Sequence, residues 1–224
     1  GEKPTHPELL DWLAATLVEE NWSLKRLHRL IMNSEAYRMS SAHDEAHFAK
    51  DGDNRLLWRM NPRRLDVEAW RDSLLAASGG LNGRVGGRPV GEILESARRT
   101  LYSTVSRNGD RFRSEDFLRT FDFPAARSSS ARRATSTAPQ QYLFMLNSRF
   151  MNQRARELAA RLRKAAPRDD QQIELAYQWL FQRSPDAAEA AIGKAFLKGE
   201  DASPSRLELY AQSLLSSEEF RYVE

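Results

Sequence analysis

Cysteine is absent from the 224 residues. Disulfides, thiolate zinc sites and cysteine nucleophiles are therefore excluded. Apolar runs are short, and none approaches the roughly 20 residues that a membrane-spanning helix needs. A G-x-S-x-G elbow, a phosphate-binding loop and a dinucleotide fingerprint are also missing. The pairs Gly79-Gly80 and Gly86-Gly87 lack the required spacing. Lysine is scarce, with six Lys beside 28 Arg. Arginine does not titrate off its charge, so a net charge of only +3 carries a pI near 9.3. What is present is 41% hydrophobic and 29% charged, a composition that buries a core and argues against wholesale disorder or a membrane bundle.

The first third reads as helices. Leu9, Leu10, Leu13, Leu17 and Val18 recur at helical spacing behind Pro7, a residue suited to a first turn. Ser23 reads as the cap of a second helix through Leu24, Leu27, Leu30 and Ile31, with Lys25, Arg26, His28 and Arg29 on its outer face. Residues 40–52 read as polar loop. Asp53 predicts a third helix holding Leu56, Leu57 and Trp58, and a fourth runs from about Leu65 to Ser78, ended by Gly79-Gly80. The middle is irregular and glycine-rich. Thr100 to Val105 is β-branched and aromatic, the best strand candidate, with Phe117 to Phe123 as its partner in a small ribbon. From Pro139 helices return, with Ser184-Pro185 and Ser203-Pro204 as helix starts. The expected fold is mainly α: two helical layers with a small two-stranded β-ribbon inserted in the middle. The whole of 1–224 reads as one domain, helical over 1–80, loop and ribbon over 81–137, helical over 138–224. It opens in mid-motif at Gly1 and reads as N-terminally truncated, so its compartment is not legible from a leader.

One stretch echoes another. Leu27 to Arg38 can be laid on Tyr210 to Arg221, matching Ser34, Glu35 and Arg38 with Ser217, Glu218 and Arg221, and Tyr37 with Phe220. The common element is a helix end, a serine that caps again, and an aromatic that docks back.

Chemistry candidates are few. His43 and His47 stand four apart in His43-Asp44-Glu45-Ala46-His47, as in zinc peptidases, but the acid is Asp and the flanks are polar loop. A solvated loop is the better reading, and no metal is expected. Asp66, Glu68, Arg71 and Asp72, with Arg63 and Arg64, cluster at a helix start, where capping and ion pairs explain them. The basic residues concentrate in the middle. Residues 84–168 hold eighteen Lys and Arg against seven acids, while 169–224 hold five against eleven. Such a surplus suits phosphate contacts, yet no nucleic-acid motif accompanies it, so internal pairing with the acidic end is the leading reading.

Several stretches together carry a resemblance. They include Gly1 to Ala14, Trp22 to Ile31, Ser34 to Tyr37, Asp53 to Asn61, Arg63-Arg64-Leu65 with Glu68 and Arg71-Asp72, and Arg99 to Tyr102. Phe121-Asp122 with Pro124, Arg132-Arg133, Thr137 to Gln140, Leu146-Asn147 and Ser217 to Val223 complete the ordered set. The chain resembles the planctomycete-specific domain of unknown function fifteen-fifty-three. That resemblance implies an exported multidomain protein, periplasmic or in the cell envelope, in which a cytochrome c-type domain precedes this one. It implies no catalytic residue. Relatives often carry a cysteine before Arg132-Arg133, where this chain has Ser128-Ser129-Ser130.

The best candidate site is the loop-to-helix junction after the expected ribbon. Arg132, Arg133, Thr135, Thr137, Gln140 and Asn147 surround it, with Arg107, Asn108 and Asp122 at the ribbon's ends, as an anion seat at a helix N-terminus. No cofactor is expected in this chain, and haem belongs to an upstream domain. The leading functional expectation is a non-enzymatic scaffold or binding module. Its partners would be upstream domains of the same polypeptide and an anionic polysaccharide. An enzyme component acting on complex polysaccharide is the alternative, and nucleic-acid binding is third.

Overall fold

The computed structural model describes residues 3–108, 112–127, 129–130, 133–199 and 204–223. The chain forms two compact units, residues 1–63 and 64–223.

The first unit holds α1 (Pro7–Glu19), α2 (Leu24–Asn33) and α3 (Glu45–Lys50). Pro7 opens α1, and the Ser23 hydroxyl caps α2 by accepting from the Arg26 amide. The polar stretch 40–52 is not all loop, because Asp44 caps α3 by accepting from the His47 amide at 2.8 Å. The helix predicted after Asp53 does not form. Asn54 and Leu57 sit at φ +51° and +56°, left-handed positions that interrupt a helix. Asn54 instead ties the turn, donating to the Arg59 carbonyl at 2.7 Å and to Asn61 at 3.1 Å. Among the described residues, Asn54 is the one buried residue of this unit.

The second unit begins where β1 (Arg63–Arg64) pairs with β2 (Tyr222–Val223). It continues through α4 (Val67–Ala77), α5 (Arg113–Thr120), α6 (Pro139–Asn147), α7 (Arg149–Ala165), α8 (Asp169–Phe181), α9 (Ala187–Leu197), α10 (Arg206–Leu215) and α11 (Glu218–Arg221). The fold is mainly α with one small two-stranded sheet, as expected, but the ribbon lies elsewhere. Thr100–Tyr102 is a 3-10 turn, and most of the expected partner strand lies in α5. Ser103 makes only an isolated bridge with Val90. The strands that do pair join the two ends of the unit, with the Leu65 amide donating to the Arg221 carbonyl at 2.8 Å. The start of α9 also differs in detail. Asp186, not Ser184, is its cap, forming a reciprocal capping box with Glu189.

The core is built around α7, whose Met151, Ala155, Leu158, Ala159 and Leu162 recur at three and four and are buried. The small Ala155 and Ala159 leave room for α10, which lies along α7 and buries Leu207, Ala211, Leu214 and Leu215. Trp70, Phe117, Phe121 and Phe144 form an aromatic cluster between α4, α5 and α6, with ring centroids 4.7–5.4 Å apart. Gly193 is required where α9 meets α10: a Cβ there would stand 2.8 Å from Tyr210 Oη.

Candidate functional site

The charged cluster at the head of α4 organises the irregular middle of the chain. Arg71 is fully buried. Its guanidinium donates to the Arg98 carbonyl at 2.9 Å, to Thr100 Oγ1 at 3.1 Å and to the carbonyls of Ile93 and Ser96. Burial lowers its pKa to about 10, with Asp72 at 3.7 Å opposing and Arg154 adding to the fall. Asp72 accepts from the amide and the hydroxyl of Thr100, both at 2.7 Å. One Arg-Asp dipeptide thus takes up the carbonyls of Ile93, Ser96 and Arg98 and the amide of Thr100, in a segment whose own backbone pairing is limited to short 3-10 turns and a single bridge. The fork of arginine suits that task better than the point charge of lysine.

The residues of the expected anion seat go to two places. Arg133 turns to α4. It grips Glu68 with two bonds of 2.7 Å, lies 3.7 Å from Asp66 and stacks over Phe123. Burial alone would raise the Glu68 carboxyl, but the Arg133 bonds outweigh it and hold the group below its ordinary value. Those bonds also raise the pKa of Arg133. Asp122, at φ +65°, accepts from the Ser136 amide at 2.9 Å and the Ser136 hydroxyl at 2.7 Å. Gln141, fully buried, donates to the Thr120 carbonyl at 3.0 Å and accepts from Arg64 at 3.2 Å. Arg64 also reaches the Ser136 carbonyl and lies 3.6 Å from Asp122.

Asp122 and the loop 133–137 are therefore neighbours, and Arg64, Ser136 and Gln141 are the members that the sequence reading missed. Gln141 stands four residues before buried Met145, and that spacing was the available signal. Thr135, Thr137 and Gln140 are exposed beside this knot, and Asn147 is exposed at the other end of α6. Arg107 and Asn108 are exposed as well, and among the described residues neither bonds to the other candidates. Arg132 lies outside the described residues. An anion entering here would meet the Asp122 carboxylate and would have to compete with Glu68 for Arg133. Beside Arg133, a cavity of about 350 Å³ is lined by Glu68, Asp72, Arg99, Thr100 and Ser103. Glu68 and Asp72 stand four apart on α4 and so share one face.

His43 and His47 do not converge on a vacant centre. His47 stacks on Trp58 at 5.6 Å and pairs with Asp44 at 2.8 Å, while His43 reaches Glu45 at 3.0 Å. Among the described residues, no group of three or more His, Asp or Glu could hold a metal ion.

The arginine surplus is spent on carbonyls and rings more than on the acidic C-terminal end. Arg161 donates to the Ala77 carbonyl at 2.7 Å, closing the end of α4, and stacks on Trp179 at 4.1 Å. Arg98 stacks on Tyr102 at 3.9 Å. Arg156 with Glu208, at 3.7 Å, is a pair of the expected kind.

The first unit offers a different feature. A groove of about 920 Å³ runs along α1 and α2, lined by Trp12, Leu13, Leu30, Ile31, Tyr37 and Met60. Glu20, Arg26 and Arg29 line it as well.

No curated protein and no solved structure matches the chain. Residues 1–197, ending with α9, match the family described as "Protein of unknown function (DUF1553)", and the chain belongs to that family.

Proposed function

We propose that the chain is a non-enzymatic docking module, a scaffold within an exported planctomycete multidomain protein that also carries a cytochrome c-type domain. The observation that carries this reading is the contrast between closed polar clusters and an open apolar groove. Arg133 is taken up by Glu68, and Asp122 by Ser136 and Gln141, so the best polar groups serve the fold. The groove of the first unit is lined by apolar side chains that the unit leaves uncovered. Its partners are the upstream domains of the same polypeptide, and haem resides there. The resemblance on which the partner, the export and the organism rest is that of the ordered motifs.

The test is co-purification of this chain with the upstream domains expressed separately. A stoichiometric complex is expected, and two proteins that elute independently overturn the reading.

A second reading has one observation in its favour, the cavity beside Glu68 and Asp72. In that reading the chain is part of an enzyme acting on complex polysaccharide. It requires turnover on a polysaccharide panel that disappears in Glu68→Gln or Asp72→Asn.

A further inference from the structure

We infer that the groove along α1 and α2 receives an amphipathic helix of its docking partner, apolar on the stripe it buries and acidic along its flanks. The inference deepens the docking-module reading and rests on it.

The apolar residues of α1 and α2 recur at helical spacing, which builds a face meant for burial. Yet neither helix contains a buried residue. Of the groove's own residues, Trp12 is more than half exposed, and Leu9, Leu30 and Tyr37 are exposed as well. A contiguous apolar face of this kind on a polar-rimmed surface marks an interaction site.

The shape selects the occupant. Leu13, Leu30, Ile31 and Tyr37 line a groove, a form that accepts a helix laid lengthwise.

The charge selects its flanks. Helix α2 carries Lys25, Arg26, His28 and Arg29 and no acid. Arg26 is paired with Glu20. Arg29, which lines the groove, has no ion-pair partner among the described residues. Acidic side chains along the incoming helix would meet that rim, setting register and speeding encounter.

The second unit shows how such a segment is completed. The stretch Tyr210 to Arg221 matches Leu27 to Arg38 in sequence and in its helix-ending bonds. In both, the serine hydroxyl donates to the carbonyl three residues back, and the amide three residues on donates to that serine. There, α10 is covered by helices, α7 foremost, and Leu214 and Phe220 are buried. Their counterparts Ile31 and Tyr37 face the groove.

The experiment uses the full chain and two labelled helical peptides of about 20 residues, long enough to hold a helix. Both carry the same Leu/Ala stripe, one with Glu flanks and one with Lys flanks, and binding is read by anisotropy at low and high salt. The Glu-flanked peptide should bind at least about tenfold more tightly, lose affinity in salt, and lose about tenfold again in Leu30→Glu. In Arg29→Glu the preference between the peptides should shrink or reverse, a readout independent of any folding defect. Equal binding of both peptides, or no change in Arg29→Glu, overturns the inference. So does stronger binding to phosphatidylcholine–phosphatidylserine vesicles than to the Glu-flanked peptide, which would make the face a membrane contact. A dimer in light scattering that Leu30→Glu dissolves also overturns it, in favour of a second copy. If neither peptide binds while the upstream domains still co-purify, the groove assignment falls and the docking-module reading stands.

Discussion

The same device ends one helix in each unit, and its surroundings make it two different things. At Ser34 and at Ser217 the hydroxyl bridges the outgoing helix to the turn that follows, and an aromatic comes three residues later. Phe220 is 7% exposed and Tyr37 is 47% exposed. Arg221 is buried and bonded to Glu218, whereas Arg38 is exposed. Bonds spanning three residues form wherever the sequence allows them. Burial needs neighbours, and α10 has α7, α8 and α9 around it where α2 packs chiefly on α1. A finished core and an unfinished one can therefore share a local sequence.

The comparison breaks most sharply at Arg71, for which the first unit has no counterpart. Arg71→Met strips the donors from three buried or half-buried carbonyls and from Thr100. A loss of about 3–5 kcal/mol is expected, read by urea unfolding and by faster hydrogen exchange over 93–100. If Arg71→Met unfolds like the parent chain, the clamp is not what holds the middle.

The aromatic pair tests the comparison directly. Phe220→Ala should cost about 3–4 kcal/mol through the cavity it leaves. Tyr37→Ala should cost less than about 0.5 kcal/mol, because solvent already reaches that ring. Equal costs in thermal melts would mean that the first unit is as well packed as the second.

The smallest effect is that of acid. Arg183 joins Glu189 and Glu219 with bonds of 2.7–2.9 Å, and its own pKa is raised by them. The same contacts lower the Glu189 carboxyl to about 2 from an ordinary 4.5. A depressed carboxyl stabilises the fold above its unfolded pKa, and that contribution fades as pH falls from 4.5 toward 2. Amide exchange at the α8–α9 junction should rise over that window while α1 and α2 are unaffected. A rise confined to α1 and α2 would contradict the assignment.

Much of the helical framework was legible because its causes are local. Pro7, Ser23 and Gly79 mark boundaries through bonds and dihedrals that reach no further than four residues. The middle was not legible. Thr100 to Val105 has strand composition, but it begins as a 3-10 turn with Thr100 held by Asp72, and Ser103 bridges only to Val90. The candidate site was half legible. Asp122 and the 133–137 loop do meet, but Gln141 was hidden because a buried polar residue on an apolar face gives no sign of what it bonds, and Arg64 because its partners lie more than 50 residues away.

The sequence by itself determined that the chain is helical, where most helices begin and end, that it uses arginine far more than lysine, and that one helix-ending device occurs twice. Those are properties of neighbouring residues. The tertiary structure alone decided which arginines are buried, where the two strands pair, and which copy of the device lies in a core. Those outcomes depend on groups tens of residues apart, whose hydrogen-bonding and burial demands arise only once the chain has brought them together.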